Sequence, residues 1–225
     1  REFNTEQTFL LNPGDVLYLP PLVGHHGISL SDDCMTYSFG YRSYHGLEIL
    51  NEFCDYLNET GSFDEYYKDP NWSTTRNTSE LPDSTWQHAK KLLHNVLSDD
   101  QALKNCFGRF ATRLSASAEQ DTPMPLENVN KQQFLHLLRT QSTLHRHPSC
   151  KIAYQSATTH SDFALYLNGN DWPINDANLD LIRVVANQRN IDTTLLHQFL
   201  TTDENINFLF ELWQQQWLQF SCEYE

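Results

Sequence analysis

Gly14-Asp15-Val16-Leu17-Tyr18-Leu19-Pro20, followed by Gly24-His25-His26-Gly27, is the stretch of this 225-residue chain whose residue types and spacing point most directly to chemistry. The apolar run stopped by Pro20-Pro21 reads as a β-strand, and a histidine just past its end can turn its ring into a barrel mouth. A neutral imidazole there is a standard ligand for iron, copper, nickel or zinc. A lone histidine on a strand is more often a hydrogen-bonded or solvated polar residue, so His25 needs partners such as a His-x-Asp, His-x-Glu or His-x-His pair on an earlier strand. No such pair precedes His25. The expectation is a site of which this chain holds one corner.

Other candidate groups are weaker. His160-Ser161-Asp162 spells His-x-Asp, but it follows His25 and sits among small polar residues typical of an exposed loop. His145-Arg146-His147 could put two imidazoles on one face of a strand. No cysteine or carboxylate stands at a matching spacing, and a solvated polar segment is the better account. His26 lies next to His25, so on a strand only one of the two rings faces a metal; His26 is either a hydrogen-bonding partner of the site or a surface residue. No glycine-rich phosphate loop, G-x-S-x-G elbow or H-E-x-x-H helix occurs, which removes the main support for hydrolase and nucleotide-dependent readings.

The elements that must position these residues change character along the chain. From Thr8 to Tyr41 the pattern is all β, with the turn Asn12-Pro13-Gly14-Asp15, strands over Val16–Leu19, His25–Leu30 and Cys34–Tyr41, and a turn at Ser31-Asp32-Asp33. Three strands do not close a barrel; they read as the last strands of a sandwich or double-stranded β-helix. The chain opens at Arg1 directly into a strand-like run, which predicts a missing upstream portion. From about Tyr44 the apolar period becomes helical: Leu47, Leu50, Cys54 and Leu57 on one face, then, after a polar loop from Asn58 to Ser84, Trp86, Ala89, Leu93 and Val96, and Leu103, Phe107, Phe110 and Leu114, with Ser98-Asp99 capping between the last two. Such wide stripes are ordinary core or, with so few helices, partly a dimer contact. Ser115 to Leu126 reads as a linker. Beyond it, a helix at Gln133–Leu138, strands at Lys151–Gln155 and Phe163–Leu167, the hairpin signal Asn168-Gly169, a helix capped by Asn175 or Asp176, and helices at Leu195–Leu200 and Ile206–Trp213 suggest a winged-helix-like module.

The formal net charge of −14 argues against unaided binding to a phosphate backbone and suits a basic partner. From Asn128 onward six Lys and Arg face ten Asp and Glu, so the winged-helix-like module is not expected to bind DNA directly. Cys34, Cys54, Cys106, Cys150 and Cys222 are scattered, odd in number and without a C-x-x-C pair, as expected of reduced thiols in a cytoplasmic protein. No apolar stretch approaches the roughly 18 residues needed to span a bilayer, and no membrane partner is expected.

Gly14, Pro20 and His25 fall at the spacing of the second motif of the cupin superfamily, in which that histidine binds metal; Leu22 stands where a second glycine is typical, and Ser29 where asparagine often occurs. With Pro13–Pro21, His25-His26-Gly27, Tyr37–Arg42, Tyr66–Pro70 and Leu165–Gly169, essentially the whole chain resembles the C-terminal part of the bacterial JmjC-type ribosomal oxygenases, the ribosomal-protein arginine hydroxylases. The resemblance implies an α+β chain in three parts: 1–43 the last strands of a cupin/JmjC-like double-stranded β-helix, 44–122 a helical dimerisation region, and 123–225 a winged-helix-like domain. It implies Fe(II) and 2-oxoglutarate as cofactors of the intact enzyme, with His25 as the distal histidine of a two-His-one-carboxylate triad. Thr36 and Ser38, on one face of their strand, could line the cavity and hydrogen-bond 2-oxoglutarate, or equally be buried hydroxyls bonded to backbone. The implied partners are a basic ribosomal protein as substrate and a second copy of the chain. The remaining triad ligands have no counterpart here, so this chain is expected to be inactive alone. The competing reading is a non-catalytic, dimerising protein-interaction module.

Overall fold

Local hydrogen bonding and apolar periodicity build helices from Gly46 onward, joined from Thr143 by six short strands among the described residues, in a computed structural model that describes residues 4–20, 22–40, 43–68, 79–156 and 159–221. Pro21, Tyr41, Arg42, Asp69, Pro70 and Cys222, named above, lie outside the described residues. Contacts divide the chain into two units, Arg1–Ser43 and Tyr44–Glu225.

In the first unit the expected turns form. Asp15 N donates to Asn12 O at 3.0 Å and Asn12 N to the Asp15 carboxylate at 2.8 Å, with Gly14 at φ 93° as a Pro-Gly turn requires. The second turn closes from Cys34 N to Ser31 O at 3.4 Å. The expected strands over 16–19, 25–30 and 34–41 do not: no ladder pairs any described residue of 4–40. A strand exists through the partner that takes its N–H and C=O groups, and an apolar strand face needs a second layer to cover it. The described residues of this unit supply neither, and Val16, Tyr18, Ile28, Tyr37 and Phe39 are exposed.

The second unit opens with helix α1 (Gly46–Thr60). His45 caps it, its Nδ1 accepting from Leu47 N at 3.2 Å while the Glu48 carboxylate accepts from His45 N, and Gly61 at φ 62° ends it. Helix α2 (Asp83–Leu97) follows the polar loop, and Asp99, as expected from the sequence, caps α3 (Asp100–Thr112) through Gln101 N and Ala102 N. Phe53 of α1 packs on Ala102 and Cys106 of α3, giving a small core. The stretch read as a linker contains one short helix, α4 (Ala116–Gln120).

The C-terminal elements are α5 (Lys131–Thr140), β1 (Thr143–Arg146), β2 (Ile152–Gln155), β3 (Ala164–Leu167), β4 (Asn170–Trp172), α6 (Leu179–Asn187), β5 (Asn190–Asp192), α7 (Thr193–His197), α8 (Asp203–Gln214) and β6 (Leu218–Phe220). They form two three-stranded antiparallel sheets, ordered β5-β1-β6 and β2-β3-β4, around one core of Phe134, Leu138, Leu144, Leu165, Leu181, Ile182, Ile191, Leu196, Leu209 and Leu212. The β3–β4 turn is Asn168-Gly169, both at positive φ, as that dipeptide predicts. Two expectations are corrected. Asn178, not Asn175 or Asp176, caps α6, its Oδ1 accepting from Asp180 N and Leu181 N, because Asn175 sits at φ 46° in the preceding turn. His145-Arg146-His147 belongs to and follows the central strand of a sheet rather than a solvated segment, since fully buried Leu144 anchors it between β5 and β6.

Candidate functional site

His25 lies in the unit without a ladder, exposed, with Nδ1 3.2 Å from the carbonyl oxygen of Val23. Thr36 and Ser38 are exposed as well. Among the described residues no three His, Cys, Asp or Glu side chains converge as a metal site would need. An iron centre takes three protein donors, so the described residues do not fit a complete one; His25 stands as a single potential donor. Leu22 adopts φ 67°. That left-handed conformation is comfortable for glycine and strained for a branched residue, which gives a physical reason for the glycine typical of the position.

The two histidine decoys are engaged elsewhere. His160 begins a 3-10 turn, His160–Asp162, and its Nε2 lies 2.8 Å from Ala177 O, while Asp162 accepts from Thr159 Oγ1 at 2.8 Å. His145 bridges its sheet, Nδ1 to Asn190 Oδ1 at 2.9 Å and Nε2 to Ser221 Oγ, so neither nitrogen is left for a metal. His147 Nδ1 accepts from Ser149 N at 3.1 Å, and burial lowers its pKa from the ordinary histidine value.

Sequence reasoning missed the densest polar cluster, where α3 meets α1 and the β3–β4 hairpin. Arg109 on α3 pairs with Asp171 on β4, its Nε donating at 3.1 Å, while Glu59 lies at 3.7 Å and the Tyr56 ring stacks 5.2 Å beneath the guanidinium. Its pKa is raised, first by the hydrogen bond to Asp171. Tyr166 OH donates to Asn105 Oδ1 at 3.0 Å, and burial, with the Asp171 charge behind it, pushes the phenol up to about 12. Cys106 is buried beside these groups; burial first, then Glu52, raises its pKa, so the thiol stays protonated and is no nucleophile. Every charge here is matched by a fixed partner, which makes this a structural junction rather than a reaction centre. Local periodicity does not reveal such long-range pairs, but glycine inside a helical stripe, Gly108, is the signal that marks a close approach.

A groove of about 920 Å³ runs beside it, floored by Ile49, Phe53, Leu103, Phe107 and Phe110 and edged by Gln155, Ser156 and Asp162. Its floor is largely apolar, and Asp100, Gln101 and Lys104 add polar groups along the α3 side.

Comparison with known proteins agrees with this architecture. Residues 1–49 match the JmjC domain family, and residues 95–219 match the ROXA-like winged helix family. The chain is 26% identical over 115 residues to the ribosomal protein uL16 3-hydroxylase of Escherichia coli (strain K12), covering 51% of this chain and 31% of that protein. It is 24% identical over 205 residues to a probable ribosomal oxygenase of Haemophilus influenzae, covering 87% of this chain and 49% of that protein. Structures of the ribosomal oxygenase YcfD from Escherichia coli, with cobalt and succinic acid or with cobalt and 2-oxoglutarate, superpose with TM-scores of 0.66 and 0.63 at 16% identity, each covering 80% of this chain and 47% of YcfD. The chain thus spans at most about half the length of these relatives.

Proposed function

Because this chain belongs to the ROXA-like winged-helix family, we propose that it is the C-terminal portion of a cytoplasmic Fe(II)- and 2-oxoglutarate-dependent oxygenase that hydroxylates an arginine of a basic ribosomal protein. The observation that carries this reading is the order of the two matched segments: a JmjC segment holding Gly14, Pro20 and His25 lies ahead of the winged helix in one chain. In that role 1–43 belongs to the catalytic barrel, 44–122 to a helical dimerisation region and 123–225 to the winged-helix-like domain. His25 supplies one iron donor, and Thr36 and Ser38 border the 2-oxoglutarate pocket. The net charge of −14 favours encounter with a cationic substrate. The same balance disfavours DNA, whose phosphates call for cations.

Among the described residues one donor is at hand for such a centre, so the isolated chain is expected to turn over no 2-oxoglutarate with Fe(II). Measuring succinate release over the isolated chain tests this, and release above the metal-free control would place the site elsewhere. A second reading, a non-catalytic dimerising interaction module, is favoured by the lack of a three-donor cluster among the described residues. The reading frame upstream of Arg1 separates the two: a His-x-Asp or His-x-Glu pair there supports the enzyme, and its absence supports the module.

A further inference from the structure

We infer that the β3–β4 hairpin is an internal clamp: it grips one face of α3, so that the α1–α3 layer and the C-terminal domain are held as one body and the hairpin tip is committed to the chain itself. Four gripping residues, Asn105, Gly108, Arg109 and Thr112, recur at helical spacing and form a single stripe along α3, and the fifth, Arg113, caps the helix beyond them. Each meets a different part of the hairpin and the strand behind it. Asn105 accepts from Tyr166 OH, and the Tyr166 ring lies so close over Gly108 that a Cβ there would collide with its Cε2, Cζ and Cδ2 atoms. Arg109 holds Asp171. At the tip, Gly169 N donates to Thr112 Oγ1 at 3.0 Å, while that hydroxyl donates to Gly108 O at 3.0 Å. Arg113 follows the stripe, with its carbonyl accepting from Lys151 Nζ at 2.9 Å and its Cα within 3.6 Å of where a Gly169 side chain would begin.

A different set of α3 residues, Ala102, Leu103 and Cys106, packs toward α1. Helix α3 therefore lies between both neighbours, with Arg109 reaching each of them: it holds Asp171 of the hairpin while its guanidinium lies over Tyr56 and near Glu59 of α1. Tyr166 and Thr112 are 1% and 2% exposed, so the middle of the contact is dry while Arg109, Asp171 and Arg113 at its margin meet solvent. A hairpin reaching outward for a ligand presents its tip amides to solvent; here the Gly169 amide points into α3.

Hydrogen exchange on the whole chain tests the clamp. In Gly108→Val the added volume meets the Tyr166 ring, and α1 and α3 amides exchange about tenfold or more faster, while α5, α6 and α8 keep wild-type rates. Thr112→Val is near-isosteric and removes the acceptor of the Gly169 amide together with the hydroxyl's own bond back to Gly108 O; it speeds exchange at Gly169 and along α3 by about fivefold or more. Unchanged α3 rates in both variants overturn the clamp, because the contact then carries no coupling. Equal acceleration, or complete loss of protection, in α3 and α8 in both variants also overturns it, because the layers then form one undivided core with no separable grip.

Discussion

At position 25 the ring is exposed, with Nδ1 3.2 Å from Val23 O, so the side chain contributes little to packing. His25→Ala is therefore expected to leave denaturant unfolding of the chain within about 0.5 kcal/mol of wild type, a result that thermal or urea melts would check. The glycine–proline–histidine spacing made this residue legible before any coordinates, whereas the strain at Leu22 was legible only as a departure from glycine and became physical once φ 67° was seen. Cysteine behaviour separates by environment. Cys34 and Cys54 are exposed, while burial pushes the Cys150 thiol up to about 12 and raises Cys106. Brief alkylation of the native protein at mild alkaline pH, mapped by mass spectrometry, should modify Cys34 and Cys54 and spare Cys106 and Cys150 until denaturant is added. Rapid native labelling of Cys150 would show that its surroundings are open.

Helices were the readable elements because their signals are local. Stripes at three and four residues located α1, α2, α3, α5, α6 and α8, and Ser98-Asp99 marked the cap of α3, of which Asp99 is the residue whose carboxylate accepts from Gln101 N and Ala102 N. Strands were readable where a hairpin signal lay beside them, as for β2 and β3 near Asn168-Gly169, and not for β1, β5 and β6, whose pairing joins positions such as Leu144, Ile191 and Phe220 that nothing local relates. The α6 cap was misplaced by a few residues, and the correction is testable, since Asn178→Ala should cost about 1 kcal/mol and Asn175→Ala should not remove that cap. Helix α7 carries a pH dependence. The Asp192 carboxylate accepts from Thr194 Oγ1 at 2.7 Å and Thr194 N at 2.8 Å, which hold its pKa below the ordinary aspartate value. A carboxyl with a depressed native pKa stabilises the fold above the ordinary value and loses that contribution as pH falls through the native one. The stability difference between wild type and Asp192→Asn should thus be largest near neutral pH and shrink as melts are run down to about pH 3; a difference constant across that range would assign the cap no charge.

For the whole molecule, patterning suggested the winged-helix-like C-terminal module and the family resemblance implied the α+β class, and both the matched families and the YcfD superpositions carry the same architecture. The first forty residues were readable as a family motif and not as local structure, because paired strands need partners that the described residues of this unit do not provide. Among the described residues no helix is long and apolar enough to cross a membrane. The helical layer leaves Leu47, Leu50, Leu93, Leu97 and Phe107 exposed, and a dimer that covers such a face is part of the proposed function. Light scattering should give twice the 26.2 kDa chain mass for wild type and the single mass for Phe107→Asp; a wild-type monomer at micromolar concentration would remove the dimer from the account. The most direct test of the central claim uses the chain extended through its own upstream reading frame, with Fe(II), 2-oxoglutarate and a ribosomal protein fraction. Mass spectrometry should find one oxygen added to an arginine by the wild type and none by His25→Ala at equal folded concentration; hydroxylation undiminished in His25→Ala would contradict it.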